Sequence, residues 1–311
     1  MDISAVIPVY NETESLEQLH QELIAILPST GNHEIIYIDD GSNDGSGNVL
    51  KKIANSDARV QIISFYRNYG KAAALAAGFR TVTGEVVITM DSDLQDDPGE
   101  IPAMIELLDQ GWDMVSGWKK VRHDPLIRRL SSKIFNFILR LITGVSIHDF
   151  NCGLKVYRAE VVKSVEVYGG LHRYIPALAR YKGFKVTEQI VQHRPRQHGK
   201  TKYGPARYFH GLLDLITVLF LGRYFQRPLH FFGVVGLLLL GTGLVVSIYL
   251  TINWFMGIPI GNRPLFFLGI LLIIVGIQFF SLGLLAELFV QRRHREQQLV
   301  KDVYSKERRS P

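Results

Sequence analysis

The sequence has almost no cysteine: Cys152 is the only one among 311 residues. A single cysteine excludes an intrachain disulfide framework and fits a reducing compartment. The N-terminus, MDISAVIPVYNE, lacks the basic segment and the long apolar core of a signal peptide. We therefore expect the N-terminal part of the chain to lie in the cytoplasm.

Charge is missing from two long stretches near the C-terminus. Residues 229–252 contain no Asp, Glu, Lys or Arg, and residues 265–290 contain only Glu287. Each stretch exceeds the ~20 apolar residues that span a bilayer as a helix, which favours transmembrane helices over buried core helices. The loop between them has one basic residue, Arg263, whereas several arginines flank the pair. The positive-inside rule then predicts a multi-pass membrane protein with both termini in the cytoplasm and the loop between the helices on the outer side.

Composition divides the rest of the chain. Residues 1–204 have the mixed composition of a soluble domain, and residues 229–311 form a membrane domain with a charged tail. Between them, residues 205–228 are apolar but interrupted by Asp214, Arg223 and Arg227. This pattern predicts amphipathic helices at the membrane interface, with a cytosolic core helix as the alternative.

Strand-length apolar runs alternate with helical patterns in the first domain. The runs are ISAVIPV, IIYID, VQIISF and EVVITMD. This alternation predicts an α/β fold with a parallel, doubly wound sheet. Asn11 and Glu14 have the spacing of a capping box at the first helix, and Pro98 is expected to begin the helix after the fourth strand.

Acidic residues follow two of the predicted strands. Asp39 and Asp40 end the second, and Asp91 and Asp93 follow the fourth. In such sheets ligands bind beyond the carboxyl ends of the strands, so these carboxylates should converge on one edge. Asp91 and Asp93, with the Gln95 amide, could hold Mg²⁺ or Mn²⁺, ions that take oxygen ligands and usually share their coordination shell with substrate phosphates.

A polar turn is the alternative explanation for some of the acidic residues in these two segments. Asp96 and Asp97 stand where acids favour a helix N-terminus. Ser42, Asn43 and Asp44 are better explained as a turn with a helix cap. No glycine pattern of a dinucleotide fold or phosphate loop is present in these segments.

Three motifs together resemble the family-2 glycosyltransferases. They are VIPVYNE at 6–12, IDDGSNDGS at 38–46 and MDSDLQDDP at 90–98, in matching order and spacing. RNYGKAAALAAGF at 67–79 and RPRQHGKTKYG at 194–204 are similar to the polyprenyl-phosphate branch of that family. That branch includes the dolichol-phosphate mannose synthases and the bactoprenol glucosyltransferases.

The resemblance implies a GT-A fold, association with a lipid bilayer and two substrates. A sugar would pass with inversion from a nucleotide-sugar donor, UDP-glucose being the first candidate, to polyprenyl (undecaprenyl) phosphate, for modification of cell-envelope glycans. N-acetylglucosamine, mannose and aminoarabinose donors are the alternatives. No nucleic-acid partner is expected, and a homo-oligomer is an expectation from the family, although GxxxG-like helix contacts are not evident. A processive polysaccharide synthase would need a Gln-x-x-Arg-Trp motif and more spans, and a non-catalytic scaffold would not need the metal residues.

The resemblance also assigns roles to individual residues. The residues implied to bind the nucleotide sugar are Pro8, Tyr10, Glu12, Asp39, Asp40, Asp91, Arg196 and Lys202. Those implied to hold the metal are Asp91, Asp93 and Gln95. Those implied to hold the acceptor phosphate are Lys119, Arg128 and Ser132. Asp93 and Asp149 are the implied catalytic residues, and Asp149, in HDFNCGLKVYR, would orient groups or act as a weak base.

Overall fold

The computed structural model describes residues 2–27, 32–120, 136–195 without 142, 217, 228–260 and 264–294. The chain divides into two compact units, Met1–Gly222 and Arg223–Pro311. The predicted interfacial helices of residues 205–228 lie almost entirely outside the described residues, so they stay a prediction.

The first unit is built on a mixed sheet. Its strands are β1 Ile3–Val9, β2 His33–Asp39, β3 Val60–Ser64, β4 Val86–Thr89, β5 Met114–Trp118, β6 Lys155–Arg158 and β7 Val186–Ile190. Within the described residues the order across the sheet is β3-β2-β1-β4-β6-β5-β7, and β6 runs antiparallel to both neighbours. The predicted α/β class and the parallel arrangement of its first four strands are confirmed. β6, which reverses direction, is not among the strands predicted from the sequence.

Helices cover both faces of this sheet. In chain order they are α1 Leu16–Ile26, α2 Ser46–Ser56, α3 Lys71–Thr81, α4 Ile101–Asp109, α5 Ala159–Ser164 and α6 Ile175–Tyr181. Successive strand residues point to opposite faces. Ile3, Ala5 and Ile7 of β1 pack in a core with residues of α1 and α4, whereas Val6 packs in a second core with residues of α3. Burial on both faces explains why these strands are continuously apolar.

The loop after β1 differs from its prediction. α1 begins only at Leu16 and has no side-chain cap. Asn11 instead has a φ of 53°, and its Oδ1 accepts the N–H of Asn43 at 2.9 Å. The predicted capping box of Asn11 and Glu14 is therefore wrong, because Asn11 joins the loop after β1 to the loop after β2.

The second unit contains two long apolar helices, α7 Pro228–Phe255 and α8 Pro264–His294. By length and composition both could cross a membrane, over Pro228–Phe255 and Pro264–Val290. Only 17% and 11% of their apolar windows are buried, unlike the core helices of a soluble domain. Glu287, the one acidic residue of the second stretch, accepts the backbone N–H of Leu229 at 3.2 Å.

Glycines line the contact between α7 and α8. They recur every seven residues, as Gly236 and Gly243 on α7 and as Gly269, Gly276 and Gly283 on α8. A Cβ added at Gly276 would lie 2.6 Å from the backbone N of Leu240, and one at Gly236 would lie 2.8 Å from the carbonyl of Gly276. A seven-residue spacing keeps the small residues on one helix face, where the backbones can approach closely. Small-residue packing is therefore present in a spacing other than GxxxG.

Candidate active site

Carboxylates gather at one edge of the sheet. β1, β2 and β4 are parallel neighbours, so their carboxyl ends meet there. Asp39 and Asp40 stand at the end of β2, and Asp91 and Asp93 follow β4. Because β6 is antiparallel, its first residue, Lys155, lies at the same edge. The expected convergence of acids is present, and β6 adds a basic group that sequence reasoning did not include.

The segment after β1 is fastened to the acidic loop, which comprises residues 91–97. Ser92 Oγ donates to the carbonyl of Pro8 at 3.0 Å, and Ser15 Oγ donates to the carbonyl of Ser92 at 2.6 Å. The N–H of Glu12 donates at 3.0 Å to the hydroxyl of the first residue of α2. Tyr10 between them is half-buried. The predicted nucleoside-binding segment is thus held against the ends of both β2 and β4.

The two aspartates at the end of β2 have different surroundings. Asp40 accepts the backbone N–H groups of Tyr69 at 2.7 Å and Gly70 at 2.9 Å, one with each oxygen. Asp39 Oδ1 accepts the N–H of Ser42 at 2.9 Å. Burial raises the pKa of Asp40, and the charge of Asp39 acts in the same direction. Asp40 therefore secures the loop before α3, and nucleoside binding by either residue stays a prediction.

The chain turns sharply within the acidic loop. Leu94 is buried and has a left-handed φ of 60°, which costs a bulky residue about 1–2 kcal/mol. Such strain is concentrated at functional sites. The turn lets Asp93 Oδ1 accept the N–H of Gln95 at 3.3 Å. Burial raises the pKa of Asp93 to about 6, and the charges of Asp91 and Asp96 contribute to the rise.

Asp91 lies between a lysine and a glycine. Its carboxylate is paired with Lys71, the first residue of α3. Burial alone would raise the pKa of Asp91, but the Lys71 ammonium lowers it to about 2. A Cβ added at Gly153 would lie 2.6 Å from Asp91 Cγ and 2.8 Å from Asp96 Oδ2, so a larger residue would displace both carboxylates. Sequence reasoning missed Lys71 and Gly153 as site residues, although both fall inside the motifs that carry the family resemblance.

Asp96 is a site residue that sequence reasoning placed in a polar turn. It is fully buried, and its Oδ1 lies 2.6 Å from Lys119 Nζ. Although burial opposes the effect, Asp96 raises the pKa of Lys119. Asp97, in contrast, accepts the N–H of Gly99 at 2.8 Å and caps the turn Pro98–Glu100 before α4, as predicted. Lys119, expected to hold the acceptor phosphate, is held by a carboxylate in this structure.

Asp149 lies in the buried loop before β6. It is 1% exposed, and its Oδ1 accepts the N–H of Asn151 at 3.0 Å. Its backbone carbonyl accepts the hydroxyl of Ser116 at 3.3 Å. These contacts suit a residue that orients this loop. Burial raises the pKa of the neighbouring Cys152 to about 12, which leaves an unreactive thiol.

Four predicted site residues lie outside the described residues: Arg128, Ser132, Arg196 and Lys202. The chain just before residue 196 is fastened to the acidic loop. Arg194 pairs with Glu22 of α1 at 2.7 Å and with Asp97 at 2.9 Å. Its backbone N–H donates to the carbonyl of Gln95 at 3.0 Å.

The acidic loop fits a divalent cation. In the part of the chain that the structure describes, no three His, Cys, Asp or Glu side chains form a ready metal cage. Two protein carboxylates completed by substrate phosphates and water are, however, the usual site of Mg²⁺. Asp91 and Asp93 would supply the carboxylates. Burial, with the charges of Asp91 and Asp96, raises the pKa of Asp93, and a bound cation would offset that cost.

Comparisons with known proteins identify the family. The family model described as "Glycosyl transferase family 2" matches residues 4–166. The dodecaprenyl-phosphate galacturonate synthase of Rhizobium johnstonii is 38% identical over 303 residues, which cover 95% of this chain and 90% of that protein. The undecaprenyl-phosphate 4-deoxy-4-formamido-L-arabinose transferase of Edwardsiella ictaluri is 38% identical over 288 residues, which cover 92% and 87%.

Solved structures agree on the fold. The glucosyl-3-phosphoglycerate synthase of Mycobacterium tuberculosis, in complex with Mn²⁺ and UDP-glucose, aligns with a TM-score of 0.53 at 20% identity. The alignment covers 70% of this chain and 78% of that one. The chain therefore belongs to glycosyl transferase family 2 and is a GT-A glycosyltransferase, related in sequence to polyprenyl-phosphate members of that family.

Proposed function

We propose that this enzyme transfers a sugar, with inversion, from a nucleoside-diphosphate donor to polyprenyl phosphate. The observation that carries the proposal is the crowding of Asp91, Asp93 and Asp96 at the carboxyl edge of the sheet, with Lys71 and Lys119 against them. Such an edge suits a diphosphate held by a cation and by ammonium groups. Two relatives that cover more than nine tenths of the chain are named for dodecaprenyl and undecaprenyl phosphate, which supports the acceptor class.

The chemistry requires little from a protein base. An acceptor phosphate oxygen attacks the anomeric carbon, the bond from that carbon to the diphosphate oxygen breaks, and the nucleoside diphosphate leaves with the electron pair. A phosphate monoester has its second pKa near ~6, so the attacking group is largely dianionic at pH 7. Asp149, buried and hydrogen-bonded to its own loop, then serves to orient groups.

Charge neutralisation at the leaving group is the main contribution of this edge. Asp91, Asp93 and Gln95 would hold Mg²⁺ or Mn²⁺, which when bound offsets charge on the diphosphate. The Lys71 ammonium is paired with Asp91 and adds a positive group beside the diphosphate position. Asp39 and the segment from Pro8 to Glu12 would receive the nucleoside, and Arg196 and Lys202 would meet the diphosphate.

The donor sugar has three leading candidates. UDP-glucose is the choice suggested by the resemblance to bactoprenol glucosyltransferases. The two relatives are named for galacturonate and for 4-deoxy-4-formamido-L-arabinose, so donors of these sugars stand beside it.

The apolar hairpin α7–α8 suits a lipid acceptor. A polyprenyl chain stays in the bilayer, and an enzyme that is itself anchored there meets the phosphate at the surface. We infer a location in the bacterial inner membrane with the site on the cytoplasmic side, because arginines flank the hairpin and only Arg263 lies in its loop. Association of several copies stays a prediction.

The test is transfer of radiolabel to undecaprenyl phosphate by the full-length protein in membranes. Labelled UDP-glucose, UDP-galacturonate, UDP-N-acetylglucosamine, the formamido-arabinose donor and GDP-mannose are compared, each with Mg²⁺ or Mn²⁺. The variant Asp93→Asn removes one carboxylate of the acidic loop, and Asp109→Asn changes an exposed carboxylate on α4 as its matched control.

Organic-extractable label from one donor would support the proposal and name the sugar. We expect the Asp93→Asn rate to fall at least about 100-fold, the scale of losing one preorganised electrostatic group, with Asp109→Asn unchanged. No lipid-linked label from any donor, with the protein inserted and able to bind nucleotide, would overturn the proposed acceptor.

A further inference from the structure

A small cavity with a mixed polar and apolar lining, with room for about one water molecule, borders the acidic loop on the side of β6. The lining residues that matter here are Lys71, Asn151, Gly153, Lys155, His172 and Arg173. Lys71 and Gly153 both contact Asp91, so the cavity adjoins the carboxylates of the candidate active site. His172 and Arg173 come from the short turn Leu171–Tyr174 before α6.

The polar groups of this cavity are poorly satisfied. Lys155 is 4% exposed, and its ammonium donates to the carbonyl of Cys152, although an ammonium has three N–H donors. The buried Nδ1 of His172 has no hydrogen-bond partner in the described part of the chain. Among the same residues, no carboxylate forms an ion pair with Lys155 or Arg173.

Basic side chains therefore crowd around one small space. Burial lowers the pKa of His172 well below its usual value, and the charges of Lys71, Arg173 and Lys155 act in the same direction. Burial also lowers the pKa of Lys155, with Lys71 again contributing. Uncompensated buried charge is costly, so an oxyanion bound here would gain several charge-assisted hydrogen bonds.

We propose that this cavity is an oxyanion site of the active centre, in which Lys155, His172 and Arg173 bind one oxygen of a phosphate or carboxylate group of a substrate. The inference rests on the proposed function, because it assigns the anion to one of the two substrates. One source is the acceptor phosphate, since Lys119, the residue expected to hold it, is paired with Asp96. The other source is the carboxylate of an acidic sugar on the donor.

Paired ligands that differ only in one anionic group separate these sources. Farnesyl phosphate and farnesol probe the acceptor, and UDP-galacturonate and UDP-galactose probe the sugar. Their Kd values are measured on the full-length protein in detergent for the wild type, Arg173→Gln, Arg173→Lys and His172→Phe. Arg180→Gln alters an exposed arginine on α6, the helix that follows the turn, and serves as the matched control.

We expect the wild type to prefer the anionic member of one pair by at least about tenfold, the scale of a hydrogen bond to a charged group. Arg173→Gln and His172→Phe should lose most of that preference, whereas Arg173→Lys and Arg180→Gln should keep it. Loss in the farnesyl pair assigns the acceptor phosphate, and loss in the sugar pair assigns the sugar acid.

An unchanged preference in both variants would overturn the site, as would a wild type that prefers neither anion. Because these are binding measurements, they are independent of turnover. Failure of the oxyanion site leaves sugar transfer by the wild type intact, and failure of transfer leaves the binding preferences measurable.

Discussion

The two halves of the sheet treat charged groups in opposite ways. In the half formed by β3, β2, β1 and β4, the acids after β2 are met by backbone N–H groups. Tyr69 and Gly70 donate to Asp40, and Thr13 donates to Asp44. In the half formed by β6, β5 and β7, Lys155 is buried with a carbonyl as its acceptor, and no carboxylate among the described residues pairs with it.

This difference separates charged groups whose hydrogen bonds are already made within the protein from those whose hydrogen bonds would be completed by a bound ligand. Carboxylates that already accept N–H bonds hold loops in place and need no substrate to be stable. Buried ammonium and imidazole groups with unused hydrogen-bonding capacity would be stabilised by a bound anion. The loops of the first half are thus held in place before substrate binds. On our proposal, the basic groups of the second half bind the negative charge of the substrate.

The largest expected effect comes from the ion pair between Lys119 and Asp96, which joins the two halves of the sheet. Lys119→Met leaves Asp96 buried without its partner, so the free energy of unfolding should fall by about 3–5 kcal/mol. Thermal and chemical denaturation of the purified protein measure the loss. The double variant Lys119→Met/Asp96→Asn should recover most of it. Unchanged stability with a raised KM for the acceptor would instead support the phosphate-binding role predicted from sequence.

Two glycines next to site carboxylates sharpen the comparison. Gly153→Ala in the second half forces Asp91 and Asp96 apart, and misplacement on the scale of 1 Å costs about 100-fold in rate. Gly47→Ala in the first half meets only Asp39 Oδ2 at 3.0 Å and lies in α2, so kcat/KM should change less than about threefold. Equal losses of kcat/KM for the two variants in steady-state transfer assays would contradict this expectation, because the two glycine positions would then be equally constrained.

Arg194 tests how the segment after β7 is held to the first half. Arg194→Gln removes its pairs with Glu22 and Asp97. Because the guanidinium is partly exposed, we expect a loss of about 1 kcal/mol in unfolding free energy. Arg80→Gln, an exposed arginine on α3, is the control and should have no effect. A similar melting temperature for both variants would contradict an anchoring role.

The smallest effect concerns an acid far from the site, Asp57, which lies between α2 and β3. Bidentate hydrogen bonds from Arg59 lower the pKa of Asp57 to about 2. A pKa lowered by folding stabilises fully above the unfolded value of about 3.9, and the contribution is lost as pH falls toward 2. Asp57→Asn should remove about 1 kcal/mol at pH 7 and flatten the stability profile between about pH 4 and 2. Exposed Glu17→Gln should leave that profile unchanged, and transfer activity should survive in both.

Much of the first half could be predicted from the sequence because its determinants are local. Continuous apolar runs marked β1 to β4, and period-3.6 patterns marked helices between them. The position of Asp39 and Asp91 after parallel strands determined the edge at which they meet. The capping box at Asn11 failed because a contact with Asn43, distant in sequence, prevailed over local spacing. The two membrane-length helices followed from the absence of charge.

The sequence by itself determined the family, the α/β class, the acidic edge and the apolar hairpin. Only the tertiary structure decided that β6 runs antiparallel, and this direction brings Gly153 and Lys155 to the acidic edge. It also decided that Asp96 turns inward to pair with Lys119 instead of capping a helix. The physical reason is that strand direction and buried ion pairs depend on long-range packing and on the cost of leaving charge without a partner, which no short stretch of sequence contains.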